Sequence, residues 1–84
     1  MLKILYFAAL RERMGRTEEE LHTPSGVATI ADLIALLRHR DAAGAVAFAN
    51  PALVRAAINQ DFAQPEAPVR DGDEIAFFPP VTGG

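Results

Sequence analysis

Residues 29–40, TIADLIALLRHR, carry the strongest periodic pattern in this 84-residue sequence and decide its fold. Apolar side chains recur at i, i+3, i+4 and i+7, which predicts a helix with one apolar stripe. These side chains are Ile30, Leu33, Ile34 and Leu37. Thr29 is placed to cap the first turn, with Asp32 three residues later to complete a capping box. A single amphipathic helix of this kind needs an apolar sheet face to pack against.

Segments on both sides of this helix have the composition of β-strands. Before the helix come LKILYF (2–7), rich in large apolar residues, and the polar RTEEELH (16–22), which we predict to be an edge strand. After the helix come LVRAAIN (53–59) and EIAFF (74–78). Strands followed by a helix and further strands predict an α+β fold, in which one main helix packs across one sheet.

The segments between these elements are short. Residues 8–14 predict a short helical turn that ends at Gly15, a residue suited to a left-handed cap. The alanine-rich residues 41–51 are ambiguous and include a candidate short helix that stops before Pro51. Residues 60–70 are predicted to be an irregular link, because two prolines exclude a central strand there. RDGD (70–73) is a turn that leads into the last strand.

Composition excludes several classes of function. The chain is long enough for one domain, and it has no cysteine that could form a disulfide or act as a nucleophile. Its 8 basic residues are scattered and its formal net charge is −3, which argues against nucleic-acid binding. His22 and His39 lack partners at ligand spacing, so no metal site is predicted. No apolar run is long enough to cross a membrane, and the expected location is the cytoplasm.

The last eight residues, FFPPVTGG (77–84), form an unusual ending. Aromatic rings can anchor the segment, two prolines keep it extended, and the final two glycines have no side chain. We therefore predict a globular domain over residues 1–78 and an extended tail over residues 79–84. With side-chain chemistry excluded, the terminal carboxylate of Gly84 is the candidate reactive group, and the alternative is a frayed chain end.

The ending DGDEIAFFPPVTGG (71–84) resembles the C-terminal signature of the small subunits of molybdopterin synthase. The segments FAALRE (7–12) and AINQ (57–60) also resemble that family. Its members are sulfur carriers with the ubiquitin-like β-grasp fold, so the resemblance implies one mixed sheet with one main helix packed across it.

The resemblance also implies a mechanism. An ATP-dependent, E1-like adenylating enzyme would activate the carboxylate of Gly84, and a persulfide donor would convert it to a thiocarboxylate. The chain itself would hold no permanent cofactor. It would serve as the non-catalytic sulfur-donor subunit of a heterotetrameric transferase, whose large subunit builds the molybdopterin dithiolene. The tail residues expected to insert into that subunit are Pro79, Pro80, Val81, Thr82 and Gly83.

Three phenylalanines are candidates for the docking surface. Strand alternation places Phe7 and Phe78 on the sheet face that the helix does not cover. Phe62 matches an apolar position that the family uses in docking, and a place in the core is an equal alternative for it. Other functions also stay open: a sulfur carrier for another pathway such as thiamine, a ubiquitin-like protein modifier joined through Gly84, or an interaction module with an inert tail.

Overall fold

A computed structural model describes residues 1–80, in which strands and helices follow one another with short connections. In chain order they are β1 (Leu2–Tyr6), α1 (Ala8–Met14), β2 (Glu18–Leu21), α2 (Ile30–Arg40), α3 (Ala42–Ala47), a 3₁₀ helix (Pro51–Leu53), β3 (Arg55–Ile58), β4 (Asp61–Ala63) and β5 (Glu74–Phe78).

The strands form one mixed sheet in the order β2-β1-β5-β3-β4. β1 and β5 are parallel neighbours, with Ile4 opposite Ile75, and the other neighbouring pairs are antiparallel. The last strand in the chain is therefore the central strand of the sheet. The predicted α+β fold, with one mixed sheet and a main helix across it, is confirmed.

Helix α2 forms as its sequence predicts. The Thr29 hydroxyl accepts a hydrogen bond from the Asp32 N–H, and the Asp32 carboxylate accepts one from the Thr29 N–H, so the capping box is complete. The four side chains of the predicted apolar stripe are buried against the sheet. Each buried side chain of this size stabilises the fold by about 1.5–3 kcal/mol.

Two shorter helices join α2 on the same side of the sheet. α1 ends at Gly15, whose φ of 73° is left-handed, as predicted for its cap. α3 resolves the ambiguity of the alanine-rich segment, and its N-cap Asp41 accepts a hydrogen bond from the Gly44 N–H. Gly44 packs so closely on α2 that an added Cβ would lie 1.8 Å from the carbonyl oxygen of Leu37. The contact between α2 and α3 thus requires glycine at this position.

The prediction for residues 60–70 is wrong. Residues 60–70 were expected to be an irregular link, yet Asp61–Ala63 forms β4 and pairs with β3. The prolines do not prevent it, because β4 is an edge strand that ends before Pro65. The predicted strand over residues 2–7 also ends one residue early, since Phe7 is the N-cap of α1.

Among the helices of residues 1–80, none is both long and apolar enough to span a bilayer.

Candidate functional site

The C-terminal segment follows the central strand of the sheet, β5. Phe77 is fully buried, stacks on Tyr6 at a ring-centroid distance of 6.4 Å and meets Phe48 edge-on at 5.2 Å. Its carbonyl oxygen accepts a hydrogen bond from the Phe7 N–H at 3.1 Å. These contacts fix the backbone immediately before the predicted tail.

The two prolines of the predicted tail lie against the domain. Pro79 and Pro80 are half-buried. Pro79 lines a groove of about 310 Å³ between α1 and the segment that joins α3 to β3. The direction in which the chain leaves β5 is therefore set by packing. The remaining predicted tail residues, Val81, Thr82 and Gly83, and the predicted reactive residue, Gly84, lie outside the described residues.

Two of the predicted docking residues meet on the outer face of the sheet. Phe62 is 88% exposed, and its ring lies 5.9 Å from that of the half-buried Phe78. Phe7, 47% exposed, follows β1, the strand next to β5. We call the contacting pair of Phe62 and Phe78 the aromatic patch. The alternative that placed Phe62 in the core is wrong, because its side chain lies almost entirely in solvent.

Sequence reasoning missed what brings Phe62 to Phe78. β4 pairs Phe62 with Ala57, a residue on the outer face of β3, and β3 in turn pairs with β5. The alternation of polar Asp61 with apolar Phe62 is a weak strand signal. It was outweighed by the neighbouring prolines, which argue against a strand.

The far side of the same sheet face is acidic. Glu18 and Glu20 on β2 point outward, and Glu74 lies beside Lys3 in the register of β1 and β5. The Lys3 ammonium lies 3.6 Å from the Glu18 carboxylate. The outer face therefore changes from apolar at the aromatic patch to acidic at the β2 edge, which gives it an orientation that a partner can recognise.

A polar cluster connects the β2 edge to α2. The Glu19 carboxylate accepts hydrogen bonds from the Tyr6 hydroxyl at 2.7 Å and from Arg40 at 2.7 and 3.0 Å. Burial acts to raise the pKa of Glu19, but the donors outweigh it and the pKa lies below its ordinary value. Burial, reinforced by the Glu19 carboxylate, raises the pKa of Tyr6. This cluster joins β1, β2 and α2 and stabilises the fold.

Residues 1–80 contain no group of three or more His, Cys, Asp or Glu side chains placed to hold a metal ion.

A mixed five-stranded sheet in this order, with its last strand in the centre and a helix packed across it, defines a ubiquitin-like β-grasp protein. Within that class the chain belongs to the ThiS family, whose model matches residues 4–84.

Individual relatives agree with this assignment. The chain is 40% identical to the molybdopterin synthase sulfur carrier subunit of Escherichia coli (strain K12), over 100% of both chains. A solved structure of a candidate molybdopterin converting factor, subunit 1, from Pyrococcus furiosus is 31% identical, with a TM-score of 0.75, and covers 95% of this chain and 97% of that one. Small archaeal modifier protein 1 of Haloferax volcanii is 26% identical, with a TM-score of 0.65 and the same coverage.

Proposed function

We propose that this chain is the sulfur carrier subunit of a molybdopterin synthase, and that it donates sulfur from a thiocarboxylate on Gly84. The observation that carries the proposal is the full-length similarity to the Escherichia coli sulfur carrier subunit. The family match extends through Gly84, and the central strand β5 leads directly into the matched ending. We expect this function to be exercised in the cytoplasm.

The proposed chemistry begins with a poor electrophile. An oxygen of the Gly84 carboxylate attacks the α-phosphate of ATP on an adenylating enzyme, and pyrophosphate leaves. The terminal sulfur of a persulfide then attacks the acyl carbon and displaces AMP. A reducing thiol cleaves the resulting S–S bond and releases the thiocarboxylate, which supplies sulfur for the molybdopterin dithiolene.

The composition of the chain suits an activated terminus. A thiol in the chain would compete for the acyl-adenylate, and the sequence contains no cysteine. The only side-chain amine belongs to Lys3, which lies beside Glu18 on the outer face of β1. The chain therefore offers few groups that would consume its own activated form.

The large synthase subunit is the proposed docking partner. The aromatic patch presents exposed apolar surface next to the start of the tail, which is the arrangement expected of a partner site. Six residues from Pro79 to Gly84 can extend roughly 20 Å. Patch contacts would hold the domain while the tail reaches an active site in the partner.

Intact mass measurement tests the proposal. Incubated with the adenylating enzyme, ATP and a sulfur source, the protein should gain the mass difference between sulfur and oxygen, and fragmentation should assign it to Gly84. A variant lacking Gly84 should dock on the large subunit and melt like the wild type. It should produce no molybdopterin, because its reactive carbon would stop about 3.5 Å short.

Two outcomes would overturn the proposal. Molybdopterin synthesis by the truncated variant would show that the terminus carries no sulfur. Covalent attachment of the chain to lysines of other proteins in a lysate, without synthase activity, would identify a modifier instead.

A further inference from the structure

A second surface lies round the sheet edge from the aromatic patch. A groove of about 830 Å³ runs between α2 and the β3–β4 end of the sheet. Its floor includes the nearly buried Ile34 and Ala56. Ala31 and Ala35, one turn apart on α2, are exposed and contribute only methyl groups to the wall. This volume lies within the usual range for binding sites with apolar linings.

The charge of the groove is opposite to that of the chain. Two arginines, Arg38 and Arg55, line it together with His39, and within the described part of the molecule no acidic side chain does. The Arg55 guanidinium donates to the Ala52 carbonyl at 3.0 Å and so is held in place without losing its charge. Since the formal net charge of the chain is −3, the groove is a local basic site that favours an acidic ligand.

The groove is continuous with the aromatic patch. Phe62 and Phe78 form the patch and also line one end of the groove. The two rings can reach both surfaces because β4 pairs with Ala56–Ile58 of β3 but not with Arg55. Beside Arg55 the edge of the sheet is therefore β3 itself. A protein held on the patch would therefore meet the mouth of the groove without a gap.

We propose that the groove is a second docking site, which takes an apolar segment of the large synthase subunit flanked by carboxylates. This inference rests on the proposed function. Apolar side chains of the segment would cover Ala31 and Ala35, while its carboxylates would pair with Arg38 and Arg55. Contact at the patch would hold the segment at high effective concentration, so that even a weak groove interaction adds to affinity.

Charge substitutions in the groove test the proposal. Titration calorimetry with the purified large subunit should show that Ala35→Glu weakens binding roughly tenfold, equivalent to about 1.4 kcal/mol. The cause would be a carboxylate that enters an apolar site and repels an acidic segment. Arg38→Glu should also weaken binding and make it less sensitive to salt, a change that a merely structural role would not produce.

Matched controls separate these effects from general changes in charge. Ala42→Glu on α3 and Arg70→Glu before β5 make the same substitutions at exposed positions that line neither groove nor patch. Both should bind like the wild type. Circular dichroism melts determine whether each variant is folded. If Ala35→Glu does not fold, Arg38→Glu provides the test.

The outcomes distinguish the groove from the proposed function. If Phe78→Asp abolishes binding while Ala35→Glu and Arg38→Glu bind like their controls, the groove inference fails and the proposed function stands. If the wild type does not bind the large subunit, both fail. A wild-type dimer that Ala35→Glu dissociates would show that a second copy of the chain occupies the groove, which would also overturn the inference.

Discussion

Replacing Glu19 with glutamine should destabilise the domain more than any other isosteric change at the β2 edge. The Glu19 side chain is only 9% exposed, and its two oxygens together accept from Tyr6, Arg16 and Arg40. Glutamine has the same shape, but one of its two positions is a donor. The amide N–H group of glutamine would face the donors of Tyr6, Arg16 and Arg40 and could not accept their hydrogen bonds. The positive charge of Arg40 would also lose its carboxylate partner.

The magnitude follows from the exposure of the partners. Hydrogen bonds to charged groups contribute about 1.5–3 kcal/mol, whereas exposed ion pairs contribute about 0–1 kcal/mol. The Arg40 side chain is 26% exposed, so the pair lies between these limits and the expected loss is about 2 kcal/mol. For a domain of this size, that loss lowers Tm by roughly 8–16 °C.

The loss should also depend on pH. Because the pKa of Glu19 is lower in the folded than in the unfolded state, its stabilisation is complete above the unfolded value, near 4.5, and disappears as pH falls through the folded value. Urea unfolding followed by circular dichroism should therefore separate wild type and Glu19→Gln at neutral pH and bring them together in acid. Glu20→Gln, at an exposed neighbouring position, is the control. Equal losses in the two variants, or a difference that persists in strong acid, would refute the reasoning.

Three further outcomes are expected. Gly44→Ala should lower the free energy of unfolding by about 1–3 kcal/mol in urea titration, because its Cβ would collide with the Leu37 carbonyl and force α3 away from α2. The single tyrosine, Tyr6, should show no phenolate absorbance on alkaline titration until the protein unfolds, since burial raises its pKa in the folded state and its stabilisation is lost as pH rises. Phe78→Asp should weaken binding to the large subunit more than tenfold, as loss of a buried ring costs about 1.5–3 kcal/mol, and a calorimetric titration with a melting control would show whether the fold survives.

Structural features that depend on interactions between residues close in the sequence were predicted, and those that depend on distant residues were not. The limits of α2 were read correctly because its apolar stripe and capping box lie within residues 29–40. The cap at Gly15 is equally local. The sheet order was not predicted in detail, because the parallel pairing of β1 with β5 joins residues about 70 positions apart and has no signature within either strand.

The candidate site likewise has one part that could be predicted from the sequence and other parts that could not. The tail could be predicted because proline, glycine and aromatic residues have strong structural preferences that do not depend on distant parts of the chain. The meeting of Phe62 and Phe78 was not, since it depends on β4, an edge strand of three residues. The groove was missed as well, because its alanines and arginines lie on α2 and on separate strands and are brought together only by the tertiary fold.

The position of β5 gives the proposed tail a fixed starting point. An edge strand has a neighbour on one side only and opens locally more easily than a central strand. β5 instead is paired with β1 on one side and β3 on the other, while the buried ring of Phe77 packs on Tyr6 and Phe48. Opening the chain at Phe77 would therefore require disruption of the core itself. If a misplacement of about 1 Å at a reacting carbon costs two orders of magnitude in rate, the tail must begin from such a fixed point. Under the proposed function, affinity would come from the aromatic patch, which lies on the opposite face of β5 from Phe77 and can change without moving that point.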